Sequence, residues 1–347
     1  MRVNAMELEK AAAQVLISLG EDPKAAVAVA ECLVYADMTG VSTHGTYLLK
    51  MVCDRASAKM LNVPTNARII RESAGTALID GNNGLGPAAA TLAMETAIEK
   101  AKICGIGLAL VRDTNNVGCL GYYTNLAAKR GMIGAMAGNA NAAMAPWGGA
   151  EAYFGTNPIS LSVPSAGSSP VVLDMASSLV ARGKIRKASR EKKQIPLGWA
   201  IDSDGRPTTD PDEALKGTLL PMGGPKGSGL AIIVDLVTGI LSGSKSGPAV
   251  KSFHTLDGPT GVGCMCAALD PSKFMDPGEF AAQVQGYVND MKGMRLAEGS
   301  SGIFAPGEIE AGKWDKASKN GIEMDDAAVT TINELLKKAG SDMVLGG

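Results

Sequence analysis

The sequence predicts a mixed α/β fold, with a helical domain formed from both termini and a central domain built on a sheet. Apolar residues recur at helical spacing near both ends of the chain, whereas the middle carries short apolar runs bounded by glycine. The length of 347 residues is sufficient for two domains. We therefore expect a helical domain over 1–75 with 276–347 and an α/β domain over 76–275.

The helices of the N-terminal region are predicted from spacing and from residues that begin or end a helix. Apolar residues recur at helical intervals over 4–19, and Gly20 ends the pattern. Pro23 opens a second helix, 23–38, because proline is tolerated in a first turn where its missing N–H costs little. A third helix is predicted over 47–59.

The remaining elements are predicted from the length and period of the apolar runs. Short runs predict strands over 67–72, 77–80, 107–112, 132–138, 159–163, 171–175 and 264–269. Longer periodic runs predict helices over 86–102, 122–130, 230–241, 276–296 and 325–338. The helix 230–241 is the most apolar of these, and we expect it to be buried.

Composition limits the classes of function that this chain can serve. The formal net charge is -2, so no global positive field attracts nucleic acid or an anionic membrane. The basic run Arg182–Lys193 is typical of a solvated helix face or of a loop near an anionic ligand. The N-terminus lacks the pattern of a signal peptide, and no stretch approaches the roughly 20 apolar residues of a spanning helix. We expect a cytoplasmic protein.

The six cysteines are scattered along the chain, which is typical of a reducing compartment. Only Cys264 and Cys266 lie close together, and no second pair or nearby histidine completes a tetrahedral zinc set. We expect them to be buried thiols on a strand, and we expect no metal.

The chain has two histidines, and His44 is the stronger candidate for chemistry. It lies between two predicted helices, beside Ser42 and Thr43, and imidazole exchanges protons near neutral pH. A structural role in a helix-capping turn is the alternative. His254 is interpreted as a residue of a solvated loop.

Two glycine-rich segments have the composition of anion-binding loops but not the full motifs. Residues 81–86 read GNNGLG, which is not the dinucleotide fingerprint G-x-G-x-x-G, so an ordinary Rossmann half is not supported. Residues 223–229 read GGPKGSG and lack the G-K-[ST] ending of a nucleotide loop. The second segment is either a flexible loop before a helix or an anion site.

Seven segments in a consistent order resemble the malate/L-lactate dehydrogenase family of the second, non-Rossmann type, which includes ureidoglycolate dehydrogenase, sulfolactate dehydrogenase and diketogulonate reductase. The segments are STHG (42–45), 80–102, 121–134, MAPWGGAEAYFGTNPIS (144–160), LDMASS (173–178), LPMGGPKGSGLA (220–231) and FAPGE (304–308). The pair MAPWGG and GTNPIS is the most specific part. The segments span almost the whole chain.

The resemblance implies a non-Rossmann sheet domain that binds NAD or NADP, a homodimer, and a small-molecule substrate. It implies that His44 and position 116 are catalytic. The substrate side would be formed by Ser42, Thr43, Leu48 and Met144. The cofactor side would be formed by Thr156, Asn157, Asp174, Met175, Ala176, Gly223, Gly224, Lys226, Gly227, Pro306, Gly307 and Glu308.

This sequence departs from the family pattern at two positions. Leu48 stands where family members commonly carry an arginine that can pair with the substrate carboxylate, and leucine cannot form that ion pair. Asn116 stands where many members carry a second histidine, and asparagine cannot transfer a proton. His44 would then act alone, and Lys50 or Arg55 is a candidate for the replacement cation.

The resulting hypothesis is an NAD(P)-dependent oxidoreductase that moves a hydride between nicotinamide and a small 2-hydroxy or 2-oxo acid. Within this hypothesis, a cyclic-imine carboxylate is the other possible substrate. The alternative hypothesis is a catalytically impaired family member that binds nucleotide or serves in assembly. The basic residues near the cofactor stretch are compatible with NADPH and do not decide between the two dinucleotides; they are Arg182, Lys184, Arg186 and Lys187.

Overall fold

The computed structural model describes residues 1–167 and 169–346 and shows a mixed α/β fold. The helices are α1 (Ala5–Ser18), α2 (Pro23–Met38), α3 (Leu49–Ser57), α4 (Gly86–Cys104), α5 (Leu120–Ala128), α6 (Arg182–Arg190), α7 (Pro211–Lys216), α8 (Pro225–Asp235), α9 (Pro277–Lys292), α10 (Glu308–Asn320) and α11 (Asp326–Lys338). The strands are β1 (Arg2–Val3), β2 (Arg68–Glu72), β3 (Thr76–Asp80), β4 (Ile106–Thr114), β5 (Ile133–Gly138), β6 (Ile159–Val163), β7 (Val171–Met175), β8 (Ala200–Ile201), β9 (Thr218–Leu219), β10 (Val262–Leu269) and β11 (Ile322–Glu323).

The central sheet has the strand order β2-β3-β4-β10-β5-β6-β7. Its seven strands are the seven that the apolar runs predict. Strands β3 and β4 pair in parallel, and the other five pairings in this described sheet are antiparallel. A doubly wound dinucleotide fold is built on parallel strands, so this sheet confirms the prediction of a non-Rossmann α/β fold.

Helix α4 packs closely on the sheet because small residues line the contact. Ala93, Ala97 and Ala101 are completely buried on the inner face of the helix. Gly107 on β4 lies so close that an added Cβ would stand 2.0 Å from the carbonyl oxygen of Ala97. Glycine at 107 therefore allows α4 to lie against the centre of the sheet.

Helices from both ends of the chain share one core. Leu8 and Leu16 of α1, Leu49 of α3 and Leu336 of α11 are buried together in it. Strands β1 and β11 join the two ends directly through the pairing of Val3 with Ile322 and of Arg2 with Glu323. The same core also takes in Leu85 and Phe253 from the middle of the chain. The division into 1–75 with 276–347 and 76–275 stays a prediction.

The helix predicted over 230–241 forms, but the expectation that it is buried is wrong for the single chain. It begins at Pro225 as α8 and continues as a π-helix over Leu236–Leu241. One side packs near β4 and β10, and the other side leaves five apolar side chains between 39% and 68% exposed: Ile232, Ile233, Leu236, Ile240 and Leu241. We call this the α8 apolar face.

A small third core forms between residues 144 and 231 and was not predicted. It contains α6, α7 and the β8–β9 ribbon, whose buried side chains include Ile185, Ala214 and Leu219. The predicted thiols Cys264 and Cys266 are completely buried on β10, as expected. In the described part of the chain, no helix combines the length and apolarity that crossing a bilayer requires.

Candidate active site

The segment that carries His44 is anchored to α2 by the half-buried carboxylate of Asp37. Asp37 accepts hydrogen bonds from the Thr46 backbone N–H at 2.8 Å and the Thr46 hydroxyl at 2.7 Å. An added Cβ at Gly45 would stand 1.8 Å from Oδ1 of Asp37. Glycine at 45 therefore allows the carboxylate to reach the backbone and fix the two 3₁₀ turns on either side, Ser42–His44 and Thr46–Leu48.

His44 is half-buried, and its ring is held on one side. Its Nδ1 shares a 3.1 Å hydrogen bond with the hydroxyl of Thr43, which is exposed together with Ser42. Burial lowers the pKa of His44, and the nearby His254 lowers it further. The imidazole is consequently neutral at pH 7 and is able to accept a proton.

His254 is near enough to His44 to lower its pKa, which the interpretation of a plain solvated loop did not foresee. The residue is exposed, but burial of its ring, and after that the charge of Arg186, lower the pKa of His254. The two histidines of the chain therefore lie in one electrostatic neighbourhood, although they are 210 positions apart.

The loop that carries His254 is held by Arg55, whose side chain is completely buried. Its Nη1 donates to the carbonyl oxygen of Thr255 at 2.6 Å, and its Nη2 donates to that of Gly258 at 2.7 Å. The guanidinium also lies 5.4 Å from the centre of the Phe253 ring. A guanidinium enclosed in this way cannot bind a substrate, so Arg55 is not the replacement cation.

Lys50 does not take that role either. Its ammonium forms a 2.7 Å ion pair with Asp54 one turn later on α3, at the exposed surface. Leu48 is buried in a small apolar pocket with Leu33, Val52 and Phe253. Position 48 therefore presents a hydrophobic wall where the family commonly has a cation.

Asn116 lines the same pocket as Leu48. Its Oδ1 accepts a hydrogen bond from the backbone N–H of Gly118 at 2.8 Å, which closes a tight turn before α5. The side-chain oxygen is therefore engaged locally, and the amide nitrogen is the part of Asn116 that can meet a ligand.

Asp174 stands near the end of β7 and receives two hydrogen bonds. Its Oδ2 accepts from the backbone N–H of Gly121 at 2.7 Å and from the thiol of Cys119 at 3.3 Å. The residue retains exposed surface, yet the surrounding protein desolvates the carboxyl and raises the pKa of Asp174. Met175 and Ala176, which follow it, are half-buried.

The glycine-rich segment 223–227 packs against the chain that leaves β7. Gly223 and Gly224 both have positive φ, at 56° and 61°. An added Cβ at Gly227 would stand 2.4 Å from the carbonyl oxygen of Met222 and 2.8 Å from that of Ser177. The segment opens α8 with Lys226 exposed. This geometry shows a tightly packed loop rather than a flexible one; its role as an anion site stays a prediction.

The turn 306–308 lies against the same strand. The backbone N–H of Val172 donates to the carbonyl oxygen of Pro306 at 3.0 Å, and Gly307 has a φ of 83°. Glu308 pairs with Lys292 and accepts from the backbone N–H of Ala305, and these contacts lower the pKa of Glu308. Three of the predicted cofactor segments thus meet around β7.

Met144 and Asn157 do not open onto a cleft in the single chain. Met144 is completely buried in the third core. Asn157 is also completely buried, and its amide accepts from the Ala140 N–H at 3.1 Å and donates to the Ala231 carbonyl at 2.9 Å. Thr156 accepts from the N–H of Ser177 through its carbonyl oxygen at 2.8 Å. Asn157 and Thr156 brace the cofactor segments from behind.

The His44 segment and the β7 region approach each other through α6. This helix follows β7 in the chain, and an added Cβ at Gly183 would stand 3.8 Å from the methyl carbon of Thr43. Helix α2 contributes a second link, because its Tyr35 hydroxyl lies 3.3 Å from the position of an added Cβ at Gly121, the residue that binds Asp174. These two contacts connect the His44 segment and α2 with the chain around β7; that the predicted residues form one site stays a prediction.

Comparison with known proteins identifies the family. The malate/L-lactate dehydrogenase family matches residues 3–333. The chain belongs to this family. The L-sulfolactate dehydrogenase of Methanocaldococcus jannaschii is 38% identical over 94% of this chain and 94% of its own length. The solved structure of the sulfolactate dehydrogenase from that organism has a TM-score of 0.93 at 37% identity, with 98% of each chain covered.

Two further relatives carry a cofactor in their names. The ureidoglycolate dehydrogenase (NAD(+)) of Escherichia coli K12 is 31% identical over 94% of this chain and 93% of its own. The (2R)-3-sulfolactate dehydrogenase (NADP(+)) of Chromohalobacter salexigens is 35% identical over 79% of this chain and 82% of its own. The recognition made from the seven ordered segments is confirmed.

Some residues of the malate/L-lactate dehydrogenase site in this chain were missed at the sequence level. Asp37 looks like an ordinary charge on a helical face, and Arg55 was predicted only as a replacement cation; the fold shows that Asp37 holds the Thr46 backbone and that Arg55 is enclosed. Arg186 and His254 were noted, but their proximity depends on contacts between distant segments. The one available signal was the absence of a cation at position 48, which required a replacement elsewhere.

Proposed function

We propose that this chain is an NAD(P)-dependent oxidoreductase that transfers a hydride between nicotinamide and a small 2-hydroxy or 2-oxo acid. The observation that carries the proposal is the half-buried imidazole of His44, whose hydrogen-bonded neighbour Thr43 lies against α6, the helix that follows β7. Family membership supports it, because the relatives described above are named as dehydrogenases.

The residues around β7 fit a dinucleotide. A Cβ at Gly224 would stand 3.0 Å from the Trp147 ring, and a Cβ at Gly227 would stand within 3 Å of two carbonyl oxygens, so only glycine allows this loop to pack with its backbone at the opening of α8. The N-terminus of α8 and the exposed ammonium of Lys226 suit a phosphate. When bound, the nicotinamide gives or accepts the hydride. We assign its binding to 174–176, 223–227 and 306–308.

His44 performs the proton transfer in this proposal. In the oxidation of a 2-hydroxy acid, the neutral imidazole accepts the hydroxyl proton; in the reverse direction the protonated ring returns it to the developing alkoxide. The hydrogen bond between Nδ1 and the Thr43 hydroxyl holds the ring and leaves Nε2 free for the proton transfer. The amide nitrogen of Asn116 and the wall formed by Leu48 border the substrate space.

A catalytically impaired protein is not favoured as an alternative. The losses at positions 48 and 116 suggested it, but no observation points to a different activity. A cyclic-imine carboxylate remains the second candidate substrate, because reduction of an imine needs the same hydride and the same proton donor. NAD and NADP are both retained as cofactors, since the relatives' names include each.

The proposed compartment is the cytoplasm, and the proposed assembly is a homodimer. The six cysteines are free thiols, which suits a reducing compartment. The α8 apolar face exposes five neighbouring large apolar side chains, and contiguous patches of this kind commonly mark an interface. A second copy of the chain is the occupant that we propose for this face.

The dimer is tested by placing a charge on the α8 apolar face. We expect Ile233→Glu to convert a dimer into a monomer in sedimentation equilibrium, because a carboxylate would have to be desolvated in the interface. Ile103→Glu is the matched control, since Ile103 is an isolated isoleucine, 79% exposed on α4. Identical masses for both variants and the parent chain would refute the interface.

The activity is tested by the absorbance of reduced nicotinamide. The protein is mixed with NADH or NADPH, and 2-oxo acids and cyclic-imine carboxylates are added one at a time. The proposal expects the absorbance to fall with at least one 2-oxo acid. Cofactor binding without oxidation across the whole panel would favour the impaired alternative, and oxidation by imines alone would select the second substrate class.

A further inference from the structure

The site as described lacks a cation for the substrate carboxylate. Leu48 forms an apolar wall, the ammonium of Lys50 is paired with Asp54, and the guanidinium of Arg55 is enclosed by loop carbonyl groups. A 2-oxo acid presents its carboxylate directly beside the reacting carbon. A positive group must therefore reach the neighbourhood of His44 from another element.

Helix α6 is the element that brings positive charge there. Gly183 lies against Thr43, and Arg186 follows three residues later, on the same side of the helix. The charge of Arg186 affects two segments. Burial raises the pKa of Tyr47, and Arg186 opposes that rise. Burial lowers the pKa of His254, and Arg186 lowers it further. Arg186 therefore acts electrostatically on both the 3₁₀ turn that contains Tyr47 and the loop that carries His254.

The basic residues of α6 differ in whether the protein already supplies them with a partner. Lys187, the next residue, lies 3.7 Å from Glu191 and shares that carboxylate with Lys193. Arg182, one turn before Arg186, donates to the carbonyl oxygen of Leu215 at 2.6 Å. Within residues 1–167 and 169–346, no carboxylate lies within ion-pair distance of Arg186. An exposed guanidinium without a carboxylate partner, one helical turn from the contact between Gly183 and Thr43, matches the bidentate geometry of a carboxylate.

We propose that Arg186 binds the substrate carboxylate in place of the arginine that is missing at position 48, with the ring of His254 beside it. Arg55 holds the loop that carries His254 in position. The ring of His254 is therefore a hydrogen-bonding group on a fixed loop. This inference rests on the proposed function, because it assigns the carboxylate subsite of the same reaction.

The test compares Arg186→Ala and Arg186→Lys with Lys187→Ala, which removes the same charge from the adjacent position. The protein is used with reduced cofactor bound. Two quantities are measured: the KM of any 2-oxo acid that is turned over, and the Kd of oxalate, a non-reducible anion, by calorimetry. The second readout does not depend on turnover.

We expect Arg186→Ala to raise both constants by roughly 10- to 100-fold, because charge-assisted bidentate hydrogen bonds are lost. We expect a smaller rise for Arg186→Lys, which keeps the charge but loses the two parallel donors of the guanidinium. We expect less than a twofold change for Lys187→Ala. The Kd of NADH, which has no 2′-phosphate for these basic residues to meet, should change by less than twofold in all three variants.

The outcomes separate this inference from the proposed function. If the parent protein turns over a 2-oxo acid while Arg186→Ala leaves KM and the Kd of oxalate unchanged, Arg186 is not the subsite and the enzyme assignment stands. If nothing is turned over but oxalate binding is lost in Arg186→Ala, the subsite stands and the reaction does not. Equal losses of affinity in Arg186→Ala and Lys187→Ala would mean that only the total positive charge of α6 matters, and this would overturn the proposal.

Discussion

The two halves of the candidate site differ in whether backbone groups or side chains form their surface. Around β7, backbone groups and glycines form the cofactor side, as at Gly227, where a Cβ would meet two carbonyl oxygens. Around His44, side chains form the substrate side, and the half-buried Asp37 and the buried Arg55 hold them. A surface formed by backbone groups suits a cofactor that family members share. A surface formed by side chains can differ between members that act on different substrates. Both departures from the family pattern, at 48 and 116, fall on the second side.

The largest effect on activity that tests this difference between the two halves is expected at His44. Changing His44→Ala should lower kcat by about 100-fold or more, because the proton transfer loses its only assigned group. The Kd of reduced cofactor should stay within twofold, since the two sides are built separately. Steady-state rates and a cofactor titration by fluorescence measure the two quantities. Full turnover in a folded His44→Ala protein would remove His44 from the mechanism.

The next effect concerns the support of the substrate side. Changing Arg55→Met should lower the free energy of unfolding by about 3 kcal/mol, because buried carbonyl groups lose a charged donor. Lys50→Met on the same helix is the control, and its exposed ion pair with Asp54 predicts a loss below about 1 kcal/mol. Urea denaturation measures both. Equal stabilities would show that the 254 loop does not depend on Arg55.

The smallest effect is a shift in pH dependence. Burial, and then His254, lower the pKa of His44 below its usual value of 6.5, so the neutral base persists below that pH. Oxidation of a 2-hydroxy acid should therefore lose rate only on the acid side of pH 6.5. In His254→Asn one of the two causes is removed, and the acid limb of kcat/KM should move upward, toward 6.5.

The direction of that shift decides the interpretation. An acid limb that moves downward, or that stays in place while thermal stability is unchanged, would mean that the two histidines are not electrostatically coupled. Lys251→Met is a suitable control on the same loop, because Lys251 donates to the carbonyl oxygen of Asp257 and is not among the groups that shift the pKa of either histidine.

Sequence patterns predicted the elements better than their arrangement. All seven strands of the sheet were predicted, because each is a short apolar run between turn residues. The position of β10 between β4 and β5 was not predicted, since pairing over such separations has no local signal. Helix α6 was left open as a helix or a loop, because its nine residues bury only Ile185.

The candidate site shows the same division. Residues within ordered motifs, such as His44 and Gly227, could be selected in advance from the family resemblance. The locations of Met144 and Asn157 in the interior could not, because neither their types nor their neighbours in the chain reveal burial. The association of His44, His254 and Arg186 arises only when three distant segments fold together.

The pairing of β1 with β11 has a consequence for the order in which the molecule can be assembled during synthesis. The sheet is encoded between residues 68 and 269, so it can close while later residues are still being added. Helices α1 to α3 emerge first but share their core with side chains as far along as Leu336 and Leu345. The earliest part of the polypeptide therefore waits longest for its partners, and its apolar faces remain uncovered for most of translation.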